Sequence, residues 1–240
     1  MPVTKAVVLV GGLGTRLRSV VSDVPKPLAP VAGRPFLAWL LDRLAQQGIS
    51  QTLLCVSYGA DVIEQTMGHR WQNMQLRYVQ EPRALGTGGA TWQALDQVQG
   101  DRAFVMNGDS WCNVNLQHMA QCAPHADITM AVCETSDRAR YGGVTVQQGR
   151  VSAMLEKGLQ GPGPINLGLY VLSRSIVSTV NLTGAWSLEQ QVLSACNRYH
   201  IAACVTESQF LDIGTPHDYH LAQTLIPQWV RDAEKPEESC

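Results

Sequence analysis

The chain has no excess of positive charge: 18 Lys and Arg face 20 Asp and Glu over 240 residues, a formal net charge of −2. Without a positive field able to neutralise many phosphates, polymeric DNA and RNA are not expected as partners. Long apolar runs are missing too. The N-terminal "MPVTKAVVLVGG" offers only the short stretch from Ala6 to Val10 before glycine intervenes, too little for a signal-peptide core or a membrane span. The expectation is therefore a soluble, cytoplasmic protein with no membrane partner. No Cys-x-x-Cys pair occurs among the seven cysteines (55, 112, 122, 133, 196, 204 and 240). Cys55, Cys133 and Cys204 sit in apolar runs, and the set reads as reduced, structural thiols. Six scattered histidines give no zinc signature, since His217 and His220 lack an evident third ligand. There is neither an internal repeat nor a low-complexity linker.

Two nucleotide-binding fingerprints are also absent. A P-loop requires glycine five residues after Gly11, where Arg16 stands. The Rossmann fingerprint requires a third glycine at position 17, where the chain has Leu17.

What is present is 45% hydrophobic content, enough for one substantial core, predicting a single domain over 1–226 and a flexible tail over 227–240. "KAVVLV" (5–10) reads as a strand buried on both faces. Apolar positions from Phe36 to Leu44 recur at helical spacing, with Pro35 suited to the first turn and Gly48 to the position after the end. "TLLCVSY", "DVIEQTM", "LRYV", "GGATWQALDQV" and "AFVMN" continue as strand, helix, strand, helix and strand. This alternation predicts an α/β fold: a Rossmann-like, largely parallel sheet flanked by helices, with ligands beyond the strand carboxyl ends. "ADITMAVCE", "GGVTVQQGRVSAMLEK" and "INLGLYVLS" predict a small antiparallel extension. Ser187 with Gln190, and Thr215 with Asp218, read as capping boxes opening two further helices.

The stretch "GGLGTRLRSVVSDVPKPL" (11–28) combines a glycine turn, whose N–H groups can nest an anion, with two cations. Arg16 offers a forked donor suited to phosphate, and Lys26 a point charge held between Pro25 and Pro27. Asp109 in "NGDS" and Asp212 in "LDIGTP" each follow an apolar run. If they converge beside the glycine turn they form a Mg²⁺ site, because Mg²⁺ takes few protein carboxylates and completes its shell with phosphate and water.

In this order, "GGLGTRL", "PKPL", "EPRALGTGGA", "NGDS", "EK" at 156–157, "INLGLYV" and "LDIGTP" resemble the sugar-1-phosphate nucleotidyltransferases, from residue 5 to about 220. The likeness is greatest to the branch that activates D-glycero-D-manno-heptose 1-phosphate with GTP; mannose-1-phosphate guanylyltransferases are near neighbours. The resemblance implies a nucleotide site of Leu9, Gly11, Gly12, Gly14, Thr15, Glu81, Leu85, Gly86 and Thr87. It implies catalytic roles for Arg16, Lys26, Asp109 and Lys157, and Mg²⁺ ligation by Asp109 and Asp212. The sugar site would comprise Tyr141, Gly142, Glu156, Asn166, Gly168 and Glu189. Gln190 departs from the pattern, standing where an acidic residue is expected, with Glu189 beside it. The implied partners are GTP or another NTP and a sugar 1-phosphate, with the product used in cell-surface polysaccharide synthesis. A homo-oligomer is left open, and a non-catalytic binding module on the same fold is the alternative of a different class.

Overall fold

The structure is a computed structural model describing residues 2–12, 14, 16, 17, 19–21 and 24–234. It begins with β1 (Lys5–Leu9), whose side chains alternate between two apolar clusters: Ala6 and Val8 enter one, Val7 the other, and all three are fully buried. A strand apolar on both faces belongs in the middle of a covered sheet. A 3₁₀ turn (Lys26–Leu28) and the short hairpin β2 (Pro30–Val31) and β3 (Arg34–Pro35) lead into α1 (Phe36–Gln46). Helix α1 buries Phe36, Leu37, Leu40, Leu41 and Leu44, and stops at Gly48, whose φ is +81°. Pro35 caps this helix from outside and does not form part of its first turn. Next come β4 (Gln51–Val56), α2 (Ala60–Met67), β5 (Arg70–Trp71), β6 (Met74–Gln80), α3 (Gly86–Leu95) and β7 (Arg102–Asn107).

The second half contains β8 (Ser110–Cys112), α4 (Leu116–Cys122), β9 (Ile128–Thr135), β10 (Gly143–Gln147), β11 (Arg150–Leu155) and β12 (Gly163–Ser173). A 3₁₀ segment (Arg174–Thr179), a π-helical turn (Glu189–Leu193), β13 (Ile201–Val205), β14 (Phe210–Asp212) and α5 (Pro216–Glu234) follow. Ten strands form one mixed sheet in the order β10-β11-β13-β9-β12-β7-β1-β4-β6-β5. Strands β7, β1, β4 and β6 are mutually parallel, and β12 runs antiparallel to both β7 and β9. The expected antiparallel extension is thus a continuation of the same sheet, and β13 lies parallel to β9 within it. The chain builds outward from β1 to β6 and then crosses back to β7. The carboxyl ends of β1 and β7 are adjacent, with Leu9 opposite Asn107, and they open the crevice where such sheets bind ligands.

Three expectations need correction. The segment after Ser187 is not an α-helix: Ser194 donates its N–H to the Glu189 carbonyl five residues back, the π repeat. In that wider turn Gln190 N–H still reaches Ser187 Oγ at 3.3 Å, but the return bond to Ser187 N–H comes from Gln191 Oε1 at 2.9 Å. Of the expected flexible tail, residues 227–234 are helical, and 235–240 lie outside the described residues. Helix α5 continues through Pro227 to Glu234, and Trp229 stacks on Trp111 of β8, centroids 5.3 Å apart. Finally, β8, β14 and α4 were not anticipated. Helix α4 is opened by Asn115, whose Oδ1 accepts from His118 N–H at 2.9 Å. The predicted Thr215–Asp218 box is present, with Thr215 Oγ1 bonded to the Asp218 carboxylate at 2.7 Å and accepting from its N–H.

Candidate active site

Beyond the ends of β1 and β7 the backbone brings two distant aspartates together. Strands β8 and β14 pair antiparallel, with Ser110 opposite Asp212, and Ile213 N–H donates to the Asp109 carbonyl at 2.9 Å. Asp109 Oδ2 accepts from Lys26 Nζ at 2.6 Å, and its Oδ1 accepts from Ser110 Oγ at 3.2 Å. The Lys26 side chain is only 11% exposed, so its charge is held inside the site. Asp212 Oδ1 accepts from Gly214 N–H. Burial raises the Asp212 carboxyl above the ordinary carboxylate range, and the negative charge of Asp109 raises it further. Lys26, the Gly214 N–H and Lys157 pull it back. Ionising Asp212 thus costs more than ionising an exposed carboxyl, chiefly because it is buried and secondly because it faces Asp109, and a cation between the two would favour its charged form.

That charge and those donors fit a divalent metal. Two carboxylates supply hard oxygen ligands, and no group of three or more potential metal-binding His, Cys, Asp or Glu side chains occurs among the described residues. Such a donor set suits an ion that completes its shell with phosphate oxygens and water.

Two cavities meet here, both of a size usual for small-molecule sites. The smaller, about 360 Å³, is lined by Leu9, Gly11, Gly12, Glu81, Gly86 and Thr87, with Lys26 and Asp109 on one side. Glu81 is 9% exposed; burial raises its carboxyl, opposed by the Leu85 N–H that it accepts at 2.7 Å. The larger, about 590 Å³, is lined by Tyr141, Gly142, Glu156, Lys157, Asn166, Gly168, Glu189 and Asp212. Tyr141 meets Phe210 of β14 edge-on at 5.3 Å, tying the loop before β10 to the strand that carries Asp212. Asn166 donates to the Tyr170 hydroxyl at 2.7 Å and accepts from Gly168 N–H at 2.9 Å, which fixes its amide.

Asn107 lines both cavities, so the two adjoin at the end of β7. It was missed in the sequence, although its place just before Gly108 and Asp109 at a strand end was a usable signal. Gly168, at φ +68°, faces it closely: a Cβ there would stand 2.5 Å from Asn107 Nδ2. Trp186 was missed as well. Its ring lies over the start of α3, where a Cβ on Gly88 would come within 1.9 Å of the indole, and its carbonyl accepts the Gly88 N–H at 3.0 Å. Thr87 Oγ1, on the cavity wall, donates to Glu189 Oε2 at 2.6 Å.

The remaining sequence candidates are placed differently. Arg16 is exposed and lines neither cavity. Gly14, at φ +58°, lies against the Lys26 stem, where an added Cβ would be 2.8 Å from Lys26 Cβ. Leu85 acts through its N–H on Glu81. Thr15 lies outside the described residues.

Comparison with known proteins agrees with this architecture. The profile of the Nucleotidyl transferase family matches residues 5–228. The D-glycero-alpha-D-manno-heptose 1-phosphate guanylyltransferase of Aneurinibacillus thermoaerophilus is 36% identical over 229 residues, covering 94% of this chain and 100% of that protein. The mannose-1-phosphate guanylyltransferase of Mycobacterium tuberculosis is 37% identical over 222 residues, 89% of this chain and 62% of that protein. Among solved structures, HddC from Yersinia pseudotuberculosis complexed with GMP-PN superposes with a TM-score of 0.83 at 34% identity, covering 93% of this chain and 98% of that one. No helix among the described residues is long and apolar enough to cross a membrane. With the family profile spanning nearly the whole mixed sheet and both cavities, the chain belongs to the nucleotidyl transferase family.

Proposed function

We propose that the chain transfers GMP from GTP to a sugar 1-phosphate, favouring D-glycero-alpha-D-manno-heptose 1-phosphate, and releases pyrophosphate. The observation that carries this reading is the meeting of two cavities at Asn107, with Lys26, Asp109 and Asp212 at their junction. The smaller cavity takes the nucleotide, with Glu81 and the start of α3 beside the base. The larger takes the sugar, with Glu156 and Glu189 as acceptors for hydroxyls and Lys157 for the phosphate. Heptose is favoured over mannose because the Aneurinibacillus relative is matched over its whole length. The Mycobacterium match makes mannose 1-phosphate the second reading.

The chemistry is the displacement of pyrophosphate from the α-phosphorus by a phosphate oxygen of the sugar 1-phosphate. One P–O bond forms as the other breaks. A phosphate monoester is ionised at pH 7, so no general base is needed. The obstacle is charge: each pair of like unit charges 4 Å apart costs about 1 kcal/mol in water and about 4 at an effective dielectric of 20. Lys26 and Lys157 offset this repulsion and hold the reactants in line, which provides most of the rate in such transfers. Mg²⁺ held by Asp109 and Asp212 would supply further cancellation of phosphate charge. Arg16, with Gly14 and Thr15, is assigned to the departing pyrophosphate on the "GGLGTRL" motif alone, since Arg16 lines neither cavity.

The test is pyrophosphate release from a panel of NTPs and sugar 1-phosphates. Release with GTP and a manno-configured sugar phosphate is expected. Release with CTP or dTTP but not GTP would overturn the base assignment, and none in any pairing would point to a binding module.

A further inference from the structure

The walls of the two cavities are stitched together by a short run of hydrogen bonds centred on Thr87. Its Oγ1 donates to Glu189 Oε2 at 2.6 Å and accepts the Leu188 N–H at 2.9 Å. Ser187 Oγ donates to the same Glu189 oxygen at 2.8 Å. On either side, Trp186 N–H donates to the Leu85 carbonyl at 2.9 Å and Gly88 N–H donates to the Trp186 carbonyl at 3.0 Å. Trp186 is 9% exposed, and its ring meets Trp92 edge-on at 4.9 Å, which pins the seam from behind. Thr87 lines the smaller cavity and Glu189 the larger. Glu189 also opens the π-helical turn, a locally strained repeat that persists where side-chain contacts hold it, often at functional sites. Both of these side-chain contacts fall on Oε2, so Oε1 is not engaged by them.

We propose that the Thr87–Glu189 hydrogen bond couples the two cavities, so that filling the nucleotide cavity orders the Glu189 carboxylate for the sugar. The proposal rests on the assignment of nucleotide and sugar to these cavities. Its physical content is a shared ordering cost. A ligand that fixes the Gly86–Thr87 wall also fixes the Ser187–Glu189 turn, and the second ligand then meets a site already ordered. By linkage the sugar phosphate must strengthen nucleotide binding by the same factor.

The experiment titrates mannose 1-phosphate and the heptose 1-phosphate into the full chain with Mg²⁺, with and without saturating α,β-methylene GTP, which cannot be attacked productively. The parent is expected to bind sugar phosphate at least ~5-fold more tightly with the analogue present, at the lower end of ordinary coupling. Thr87→Val, which keeps the side chain's shape, should bring that ratio to about 1, while Thr87→Ser, which keeps the hydroxyl, should restore it. Glu189→Ala serves if the valine variant does not fold: it weakens sugar binding under both conditions, and its ratio should also fall to about 1. A purely structural role for Thr87 would lower the melting temperature without changing the ratio. A parent ratio of 1, a ratio unchanged in Thr87→Val or Glu189→Ala, or no sugar phosphate binding under either condition overturns the proposal. Pyrophosphate release by the parent reports separately on the proposed function, so turnover without coupling sinks this inference alone.

Discussion

Lys26 Nζ and Asp109 Oδ2 lie 2.6 Å apart, joining the turn after the glycine loop to the end of the central strand β7. The carboxylate that would hold a metal is thus already neutralised by the cation that would meet the α-phosphate. Binding of metal and nucleotide has to exchange this pair for two new ones. Lys26→Met should cut turnover about 10²–10³-fold, as loss of a charge-stabilising donor does. Its metal affinity should be unchanged or tighter, because Asp109 loses its competitor. Pyrophosphate release against Mg²⁺ concentration checks both halves, and a large loss of metal affinity would contradict this account.

The two aspartates should behave differently from each other when ligand is absent. Asp109→Asn keeps the volume and should fold normally while losing about 10²–10³ in turnover. Asp212→Asn should lose turnover too, yet leave the ligand-free protein as stable as the parent or more so, because it removes a buried charge facing Asp109. Addition of Mg²⁺ should then raise the melting temperature of the parent more than that of either variant.

Glu81 supplies a pH signature. Burial raises its carboxyl above the ordinary value of 4.5, and only the Leu85 N–H opposes the shift. A raised folded pKa means that the folded chain binds this proton more tightly than the unfolded chain. Its contribution to stability is complete below the ordinary value and is lost as pH climbs through the folded value. In the ligand-free protein, Glu81→Gln should remove this loss, so the variant's melting temperature falls less than the parent's as pH rises from about 4 through the weakly acidic range. A variant that falls more steeply would reverse the sign.

Gly88 leaves no room for a methyl group, since the Trp186 ring occupies the position at 1.9 Å. Gly88→Ala should cost about 1–3 kcal/mol by overpacking. In a chain of this size that corresponds to roughly 2–4 °C of melting temperature per kcal/mol. A melt indistinguishable from the parent would show that Trp186 swings away freely.

Much of the sheet could be read from residue order because its strands state their burial locally. Val7 and Val8 in β1, and Phe104 and Val105 in β7, are apolar on both faces, and only a covered central strand accepts that. The end of α1 was legible for the same local reason through Gly48, and its start to within one residue through Pro35. What escaped depends on partners far away in sequence. Strands β8 and β14 are three residues each, too short for a period to show, and they are strands because they pair with each other. The π turn answers to Thr87 across the seam, a contact no local window contains. In α5 the apolar positions Ile226, Trp229 and Val230 have helical spacing, but Pro227 between them reads as a breaker. The candidate carboxylates and lysines announce themselves by residue type and motif. Asn107 is signalled only by its place before Gly108 and Asp109 at a strand end, and Trp186 not at all, since an indole is ordinary in a loop.

The pairing of β8 with β14 also sets an order in time. By the time Asp109 has emerged from the ribosome, every residue named on the wall of the smaller cavity has been synthesised. Asp212 and the strand that seats it come much later in the chain. A nascent polypeptide halted between the two lacks β14 and so has no paired carboxylates beside that wall. Translation must pass Asp212 before the two carboxylates can be seated side by side.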